Sequence, residues 1–327
     1  MRSGFALVFL MLATSVVAAP LSELTLLSEH PVEGMRGGNL SGLAQCGTEL
    51  WTVSDRDDDQ IYRLDTRETV WQAETVRIDV PPVPDSGLPW GLRMRAWAAT
   101  PLRGGDLDFE GITCDSDGNR YIVSEAHAAV LQVPPTAAPS WLKISPLMVR
   151  QARASGLLLH FNAVFEGIAI NPAGNLLWLA AERERRGLLV VHKQQAVWDC
   201  DGNCVVLSEG GLEQPPPQVK VTGGQQKDFS DLVFYKDKLF TLERMAYRIC
   251  RRTPATGEIE RCWSFAKETL TDSRRYKTRY GMAEALNIDD DGAWIGVDNG
   301  SHVRADGEKR PIVWRFAAPA DGWSAKP

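Results

Sequence analysis

A strand-turn-strand pattern recurs five times along the chain, and it limits the possible folds more than any other feature. In the clearest copy, Phe109-Glu110-Gly111-Ile112 begins one strand, Asp117-Gly118-Asn119 forms a tight turn, and a second strand ends at Glu125. The equivalent opening positions are Ser41, Glu110, Glu166, Ser230 and Glu284, and the closing acids are Asp55, Glu125, Glu182, Glu243 and Asp298. Hairpins of nearly constant length with linkers of variable length are typical of a repeat array.

Further strand patterns follow each hairpin, such as 60–64 and 70–80 in repeat one. They favour an all-β fold, a β-propeller of five four-stranded blades, with residues 20–327 as one domain. Repeat five has only three strands, and we expect the isolated strand pattern at 22–29 to supply its fourth strand and close the ring. A ring of six blades, with a degenerate blade in 70–105, is the alternative. Segment 81–105 otherwise reads as a long loop, and 146–155 as a short helix that begins near Pro146.

The N-terminal segment Met1 to Ala19 has one basic residue, an apolar run and a small-residue end, which is the pattern of a secretory signal peptide. No later stretch has the length of a membrane span. We therefore expect an exported protein, periplasmic or secreted, and a monomer. Without Arg2, 35 basic residues face 42 acidic ones, and this net negative charge argues against a nucleic-acid partner.

Six cysteines in an exported chain are typical of disulfides. Cys250 and Cys262 flank one turn, and Cys200 and Cys204 enclose another. Cys46 and Cys114 remain, and they end equivalent first strands of neighbouring repeats. The sequence thus predicts the pairs Cys46–Cys114, Cys200–Cys204 and Cys250–Cys262. A metal knuckle at Cys200 and Cys204 is the alternative.

The acids of the repeat converge in a propeller, because the starts of first strands and the ends of second strands meet at one face. We expect Glu110, Glu166 and Glu284 to form an inner ring, and Asp55, Glu125, Glu182, Glu243 and Asp298 to form an outer ring. Carboxylates this close need protons, cations or basic side chains as compensation. Ca²⁺ takes six to eight oxygen ligands, so these eight acids are candidate ligands of Ca²⁺. In the alternative interpretation, each acid only caps a turn or pairs with a neighbouring arginine.

Three arginines, Arg56, Arg183 and Arg244, each follow an outer-ring acid directly. They could hold an anion such as phosphate beside the metal, or they could neutralise the acids. His127 follows Glu125 by two residues and is a candidate proton donor, although a loop histidine is often only solvated. Glu110, Glu166 and His127 are therefore the candidate catalytic residues.

The hairpins Leu40-Ser41-Gly42-Leu43-Ala44, Phe109-Glu110-Gly111-Ile112 and Phe165-Glu166-Gly167-Ile168-Ala169 resemble the "esterase-like activity of phytase" family of exported bacterial β-propeller proteins. The resemblance runs from about residue 38 to about residue 316. The resemblance implies a hydrolase of phosphoric or carboxylic esters. The chain is also similar to the wider group of calcium-binding propellers that includes alkaline phytases. Repeat four departs from the pattern, with Ser230-Asp231 in place of Glu-Gly.

Three functions are compatible with these features. The first is a Ca²⁺-dependent hydrolase whose small-molecule ligand is an ester or a phosphate. The second is a non-catalytic propeller that binds a ligand or a protein through 81–105 and contains a structural metal. The third is a sugar-lactone hydrolase that uses the same acids.

Overall fold

The chain is all-β, with many strands and few helices, in a computed structural model that describes residues 21–35, 39–103 and 105–325. The expected signal peptide, Met1 to Ala19, lies outside the described residues. In the part of the chain that is described, no helix is long and apolar enough to cross a membrane.

The described strands and helices of the first half, in chain order, are β1 Ser22–Glu23, β2 Leu26–Glu33, β3 Gly42–Cys46, β4 Glu49–Val53, β5 Gln60–Asp65, β6 Trp71–Arg77, α1 Trp90–Arg103, β7 Phe109–Cys114, β8 Arg120–Ser124, β9 Ala129–Val133, β10 Ser140–Trp141, α2 Pro146–Ala154 and β11 Phe165–Ile170. Those that follow are β12 Leu176–Ala181, β13 Arg185–Gln194, β14 Val197–Asp199, β15 Val205–Gly210, β16 Leu212–Glu213, β17 Gln225–Gln226, β18 Asp231–Tyr235, β19 Lys238–Glu243, β20 Arg248–Arg252, β21 Ile259–Ser264, α3 Ala266–Thr269, β22 Ala283–Ile288, β23 Gly292–Val297 and β24 Ile312–Ala317.

The five repeated hairpins are all present as antiparallel pairs: β3–β4, β7–β8, β11–β12, β18–β19 and β22–β23. Each second strand pairs in turn with a third strand, as in β4–β5 and β19–β20. The first strands pack against one another in a closed order, β3 on β7, β7 on β11, β11 on β18, β18 on β22, and β22 on β3. The first strands of the repeats therefore surround a common axis.

The N-terminal strand joins the last repeat to the first. Strand β2 pairs antiparallel with β24, with Leu26 opposite Phe316, and its end pairs parallel with β6, with Val32 opposite Trp71. The expected pairing of this segment with repeat five is confirmed from Leu26 onwards, whereas Ser22 and Glu23 form β1 and pair with β21 of repeat four. Both outer strands gain a hydrogen-bonded neighbour, so two sheet edges are covered at once.

Segment 81–105 is not the long loop that its prolines and glycines suggest, because it contains α1. Leu92 and Ala96 lie one helical turn apart, and both are buried. Leu92 packs with Tyr121 and Val149 in one hydrophobic cluster. Tertiary packing of this helical face thus outweighs the turn-forming composition. Helix α2 begins at Pro146 as expected, and Ser145 Oγ accepts a hydrogen bond from Leu147 N at its start.

Three disulfides are formed, Cys46–Cys114, Cys200–Cys204 and Cys250–Cys262, which are the pairs expected from the sequence. The first links the ends of β3 and β7 and so connects the first two repeats. Since Cys200 and Cys204 bond to each other, a metal knuckle at this turn is ruled out. Disulfides of this kind are typical of oxidising compartments outside the cytosol.

Candidate functional site

Three glutamates of the first strands occupy β-bulges. Phe109 pairs with Ser124 and Gly111 pairs with Val123, so that Glu110 is an extra residue without a partner in the ladder. The same irregularity places Glu166 between Phe165 and Gly167, and Glu284 between Ala283 and Ala285. A bulge bends the strand and redirects the side chain of the inserted residue. The bulge at the start of each of these three strands therefore sets the direction of the glutamate side chain.

The glycine after the opening position allows neighbouring first strands to approach closely. A Cβ atom on Gly111 would lie 2.8 Å from the backbone oxygen of Glu166 in the next repeat. A Cβ atom on Gly167 would lie 2.7 Å from Leu232 N, and one on Gly42 would lie 2.9 Å from the Cα atom of Gly111. These contacts are with backbone atoms, which cannot move aside without shifting a strand. Glycine is thus required by packing around the axis.

Repeat four uses an aspartate where the other repeats have a small residue. The carboxylate of Asp231 accepts hydrogen bonds from Leu232 N (2.7 Å) and from Leu286 N of repeat five (2.6 Å). Burial raises the pKa of Asp231 well above its usual value. Asp231 therefore connects two neighbouring first strands, and Ser230, at the opening position, donates to the backbone of its own hairpin at Leu242 O.

Two groups of three carboxylates lie close enough to share a cation. In the first group, one oxygen each from Asp55, Asp108 and Glu110 all lie within 4.8 Å of one another. We call this group triad one. In the second, the same holds for Glu125, Glu166 and Glu182, which form triad two.

Asp108 was not identified from the repeat, because it precedes the opening glutamate by two residues and so lies before the start of the hairpin. It is almost fully buried and has a positive φ of 57°. Its backbone oxygen accepts a hydrogen bond from Glu125 N at 2.9 Å. An aspartate in the short polar run Asp106-Leu107-Asp108, next to a bulge, is the signal that could have revealed it. Asp tolerates the left-handed conformation better than most residues.

Burial and mutual repulsion favour the protonated forms of these acids. Burial is the main cause that raises the pKa of Glu110 well above its usual value, and the nearby Asp108 and Asp55 carboxylates add to it. The pKa values of Glu125 and Glu166 are raised well above normal in the same way, chiefly by burial and then by neighbouring acids. Burial and the charge of Asp298 raise the pKa of Asp55 to about 7. Without a cation, this site therefore favours protonated carboxyl groups over carboxylates more than water does.

The geometry of both triads is compatible with Ca²⁺. Two oxygens bound to one Ca²⁺ ion at 2.3–2.6 Å can be at most about 5.2 Å apart, and the oxygens of each triad satisfy this limit. Asp55 Oδ1, Glu182 Oε2 and Glu284 Oε2 are buried and have no hydrogen-bond partner among the described residues. Buried acceptors without a donor are costly, and a cation would satisfy them.

Arg244 supplies a permanent positive charge beside the triads. Its guanidinium group forms ion pairs with Glu182, Glu284 and Asp228, the last at 3.0 Å. Burial opposes ionisation of Glu284 and raises its pKa to about 8, although Arg244 acts in the opposite direction. Each guanidinium nitrogen of Arg244 lies beside a carboxylate of the protein. Arg244 was expected to bind an anion, but in this structure it neutralises the protein's own acids. Asp228, a further buried acid, precedes the opening position Ser230 by two residues, as Asp108 precedes Glu110.

Glu243 does not belong with the candidate metal ligands, which corrects the expected outer ring. Its carboxylate is fully buried and forms ion pairs with Arg186 (3.0 Å), Arg252 (2.7 Å) and Arg248. Burial alone would raise its pKa, but the three arginines outweigh burial and lower the pKa to about 2. Arg186 comes from β13 of the preceding repeat, so a sequence pattern within one repeat could not reveal this ion cluster.

Asp298 and the other two arginines lie at the border of the acidic site. Asp298 accepts hydrogen bonds from Asn39 Nδ2 (3.2 Å) and Gly300 N (2.7 Å), and burial raises its pKa. Arg56 Nε lies 3.6 Å from Asp55 Oδ2, with 40% of its side chain exposed. Arg183 pairs with Glu182 and donates to Asn162 O (2.7 Å), with 30% of its side chain exposed. These two arginines can be reached from solvent, unlike Arg244.

His127 lies outside both triads, in the wall of a cavity of about 960 Å³ beside α1. The same wall includes Leu107, which precedes Asp108, and Ala126, which follows Glu125. This cavity therefore lies beside residues that are adjacent in the chain to the acidic site.

A model of the Phytase-like family, described as "Esterase-like activity of phytase", matches residues 36–248, which is more than half of the chain. The chain belongs to this family. The match includes the hairpins of repeats one to four, and with them Asp55, Glu110, Glu166 and Glu243. The family and the three disulfides together indicate an exported protein. No curated protein matches the chain.

Several solved structures match the chain at low sequence identity, with TM-scores below 0.5. A virginiamycin B lyase from Staphylococcus aureus is 12% identical with a TM-score of 0.43, and the match covers 91% of this chain and 100% of that chain. A PQQ-bound aldose sugar dehydrogenase from Streptomyces coelicolor is 13% identical with a TM-score of 0.42, covering 91% and 98%. A glutaminyl cyclase from Myxococcus xanthus is 11% identical with a TM-score of 0.48, covering 91% and 97%. The lyase and the dehydrogenase are β-propeller-like.

Proposed function

We propose that this protein is a Ca²⁺-dependent hydrolase of phosphoric or carboxylic esters, active outside the cytosol, in the periplasm or after secretion. The observation that carries the proposal is the pair of carboxylate triads, each with oxygens within 4.8 Å of one another. Membership of the Phytase-like family supports hydrolysis of esters as the reaction class. The three disulfides support an oxidising location.

We further propose that the fold is a five-bladed β-propeller in one domain. The closed order of five first strands, β3, β7, β11, β18 and β22, supports this number. The eight-stranded sheet supports it as well, because it divides where β2 and β6 pair over only two residues. On this arrangement repeat five takes β2 as its outer strand, and no sixth blade is needed in 70–105.

In the proposed site, the acids of triad one and triad two would hold Ca²⁺, with Glu284 and Asp298 beside them. Bound Ca²⁺ supplies positive charge that makes a water molecule more acidic and screens a negatively charged ester. Glu243 and Arg244 take no part in binding the metal or the ester, since each is already paired with oppositely charged groups.

The protein's own groups would position the ester and move two protons. Arg56 and Arg183, at the exposed border of the site, would bind the non-bridging oxygens of a phosphate. Water adds to phosphorus or to the carbonyl carbon, and the bond to the alcohol oxygen breaks. The carboxylate of Glu110 or Glu166 accepts a proton from the water. His127, or a protonated carboxyl group of a triad, gives a proton to the departing alcohol.

The test combines metal content with turnover of model esters. We expect the purified protein to contain Ca²⁺, to release nitrophenol or phosphate from nitrophenyl esters, and to lose this activity with EDTA. The double variant Glu110→Gln with Glu166→Gln should retain the fold but lose Ca²⁺ and at least about a hundredfold in rate, the usual contribution of one proton-transfer group or more. The matched control is Glu74→Gln, because Glu74 is a surface acid paired with Arg63. This variant should have the rate and the Ca²⁺ content of the parent protein. Full activity in the double variant would remove the triads from the reaction.

A non-catalytic binding protein with a structural metal is the second candidate. The observation that favours it is the use of the acids as links between repeats, since Glu125 Oε1 accepts from Val164 N (2.9 Å) and Arg244 joins Glu182 to Glu284. Calcium-dependent thermal stability without turnover of any ester would favour this candidate over the first.

A further inference from the structure

The cavity beside α1 has the size and lining of a binding site for an organic molecule. Its volume of about 960 Å³ lies within the range found for small-molecule sites. One wall is the extended segment 81–86, in which Pro81, Pro82, Val83 and Pro84 present apolar surface. The opposite wall is α1, and the floor includes Leu107, Ala126 and His127.

Helix α1 turns a second apolar face towards this cavity. Trp90, Met94 and Trp97 are spaced four and three residues apart, so they share one side of the helix. All three line the cavity, and they are 71%, 38% and 69% exposed. Leu92, on the buried side, already packs against the core. Two exposed tryptophans on one helical face are not required for folding and are typical of a recognition surface.

The charge of the lining excludes an anionic ligand. Five aspartates line the cavity with Arg93 as the one arginine among the described lining residues, and Arg93 is paired with Asp85 (3.2 Å). The oxygens of Asp58 accept hydrogen bonds from Asp106 N and Leu107 N, both at 2.7 Å, so this carboxylate is fixed within the wall. A sulfonate or a second phosphate in this cavity would be repelled, whereas a neutral or positively charged aromatic group would stack on tryptophan.

The cavity lies close to the acidic site. Its lining residue Leu107 directly precedes Asp108 of triad one, and its lining residue Ala126 directly follows Glu125 of triad two, so each lies about 3.8 Å from a triad residue between Cα atoms. A group bonded to an ester held at the triads could therefore extend into the cavity.

We propose that this cavity is a subsite for an aromatic or apolar group without negative charge, and that this group is the alcohol part of the cleaved ester. The second half rests on the proposed function, whereas the binding site itself does not. Small aryl esters are then the substrate class, and inositol polyphosphates are excluded because their other phosphates would face the aspartates.

Binding is tested with a pair of fluorescent probes that differ by one sulfonate, N-phenyl-1-naphthylamine and 8-anilino-1-naphthalenesulfonate. We expect the neutral probe to bind at one site with saturable emission, and the sulfonate to bind at least about tenfold more weakly. Trp97→Ala and Trp90→Ala should each weaken the neutral probe by about tenfold, the loss of one aromatic contact. The control is Leu212→Ala, because Leu212 does not line this cavity and is 61% exposed. This variant should bind the neutral probe as tightly as the parent protein. Unchanged binding in both tryptophan variants, or tighter binding of the sulfonate, would overturn the subsite.

Kinetics separate the subsite from the reaction. With an active enzyme, Trp97→Ala should raise KM for 1-naphthyl phosphate about tenfold without changing kcat, and should leave KM for glycerol phosphate unchanged. An equal effect on both esters would overturn the alcohol assignment. If the protein hydrolyses no ester, the probes still decide on the subsite. If the protein dimerises in a sedimentation experiment and Trp97→Ala abolishes the dimer, this face of α1 binds a second copy of the chain, and the subsite proposal is overturned.

Discussion

At the scale of single residues, the acidic site depends on which charges are compensated within the protein. Three arginines pair with Glu243 and lower its pKa to about 2, whereas Asp55 has Arg56 at 3.6 Å, and burial with the charge of Asp298 raises its pKa to about 7. Both residues end the second strand of a repeat. Their different states follow from the basic side chains that neighbouring strands supply, not from their position in the repeat.

Arg244 offers a direct test of this compensation. Among the described residues, replacement by Gln leaves Glu284 and Asp228 buried without an ion-pair partner, and it leaves Glu182 with Arg183 alone. We expect Arg244→Gln to lower the free energy of unfolding by about 3–5 kcal/mol near neutral pH in EDTA, as measured by urea denaturation. The loss should shrink at about pH 5, because burial raises the pKa values of Asp228 to about 7 and of Glu284 to about 8, so that protonation removes their charge.

The matched control is Arg183→Gln, since Arg183 also pairs with Glu182 but is partly exposed. This variant should lose no more than about 1 kcal/mol. Equal losses in the two variants, or a loss for Arg244→Gln that grows with acidity, would contradict the assigned role.

At the scale of elements, the bulge and the following glycine occur together in repeats two and three. The bulge inserts the glutamate, and the glycine lets the next first strand lie against the same backbone. Repeats one, two and three keep the glycine, whereas repeat four has Asp231, whose carboxylate accepts a hydrogen bond from Leu286 N of repeat five. Close packing of first strands and presentation of the carboxylates are therefore coupled.

Gly111→Ala tests this coupling. The new Cβ atom would lie 2.8 Å from the backbone oxygen of Glu166, and neither strand can move independently within the ring. We expect a loss of about 1–3 kcal/mol in the free energy of unfolding and a weaker affinity for Ca²⁺, measured by denaturation and by calorimetric titration. Gly91→Ala in α1 is the control, since a Cβ atom there meets nothing within 4 Å, and helix propensity should make it neutral or slightly stabilising. A neutral Gly111→Ala would show that the first strands are not tightly packed.

At the scale of the whole molecule, stability should depend on pH and on Ca²⁺ together. In the metal-free protein, burial and repulsion raise the pKa values of Asp55 to about 7 and of Glu284 to about 8. The folded state thus binds more protons than the unfolded chain between about pH 4 and pH 8, and these groups lose their stabilising contribution as the pH rises through the folded pKa values. A bound cation replaces those protons.

We expect the Tm of the EDTA-treated protein to fall from about pH 5 to about pH 8, and Ca²⁺ to raise Tm more at the higher pH. At a concentration about a hundredfold above its Kd, Ca²⁺ should add about 2.7 kcal/mol per site. Differential scanning calorimetry with Ca²⁺, Mg²⁺ or EDTA measures this. A Tm that rises over this pH range without metal, or a Ca²⁺ effect that is the same at both pH values, would contradict the prediction.

Local patterns in the chain were sufficient to predict the hairpins, the turn positions, the three disulfides and the pairing of the N-terminal strand with repeat five. These features depend on alternation, turn residues and cysteine spacing, which lie within one repeat or at the same position of adjacent repeats. The opening glutamates and their glycines could be recognised for the same reason. Helix α1 was missed because prolines and glycines obscured a short helical face, and the burial of Leu92 and Ala96 stabilises that face.

The ionic partners could be assigned only after folding. Arg186 reaches Glu243 from another repeat, Arg244 joins acids of repeats three and five, and Asp108 enters triad one from outside the hairpin pattern. Which carboxylate is neutralised, protonated or available to a metal depends on distances of a few ångströms between side chains that are far apart in sequence. Coulomb energies and desolvation vary steeply over such distances, so the order of residues predicts that acids converge, and the packed structure sets the charge that each one carries.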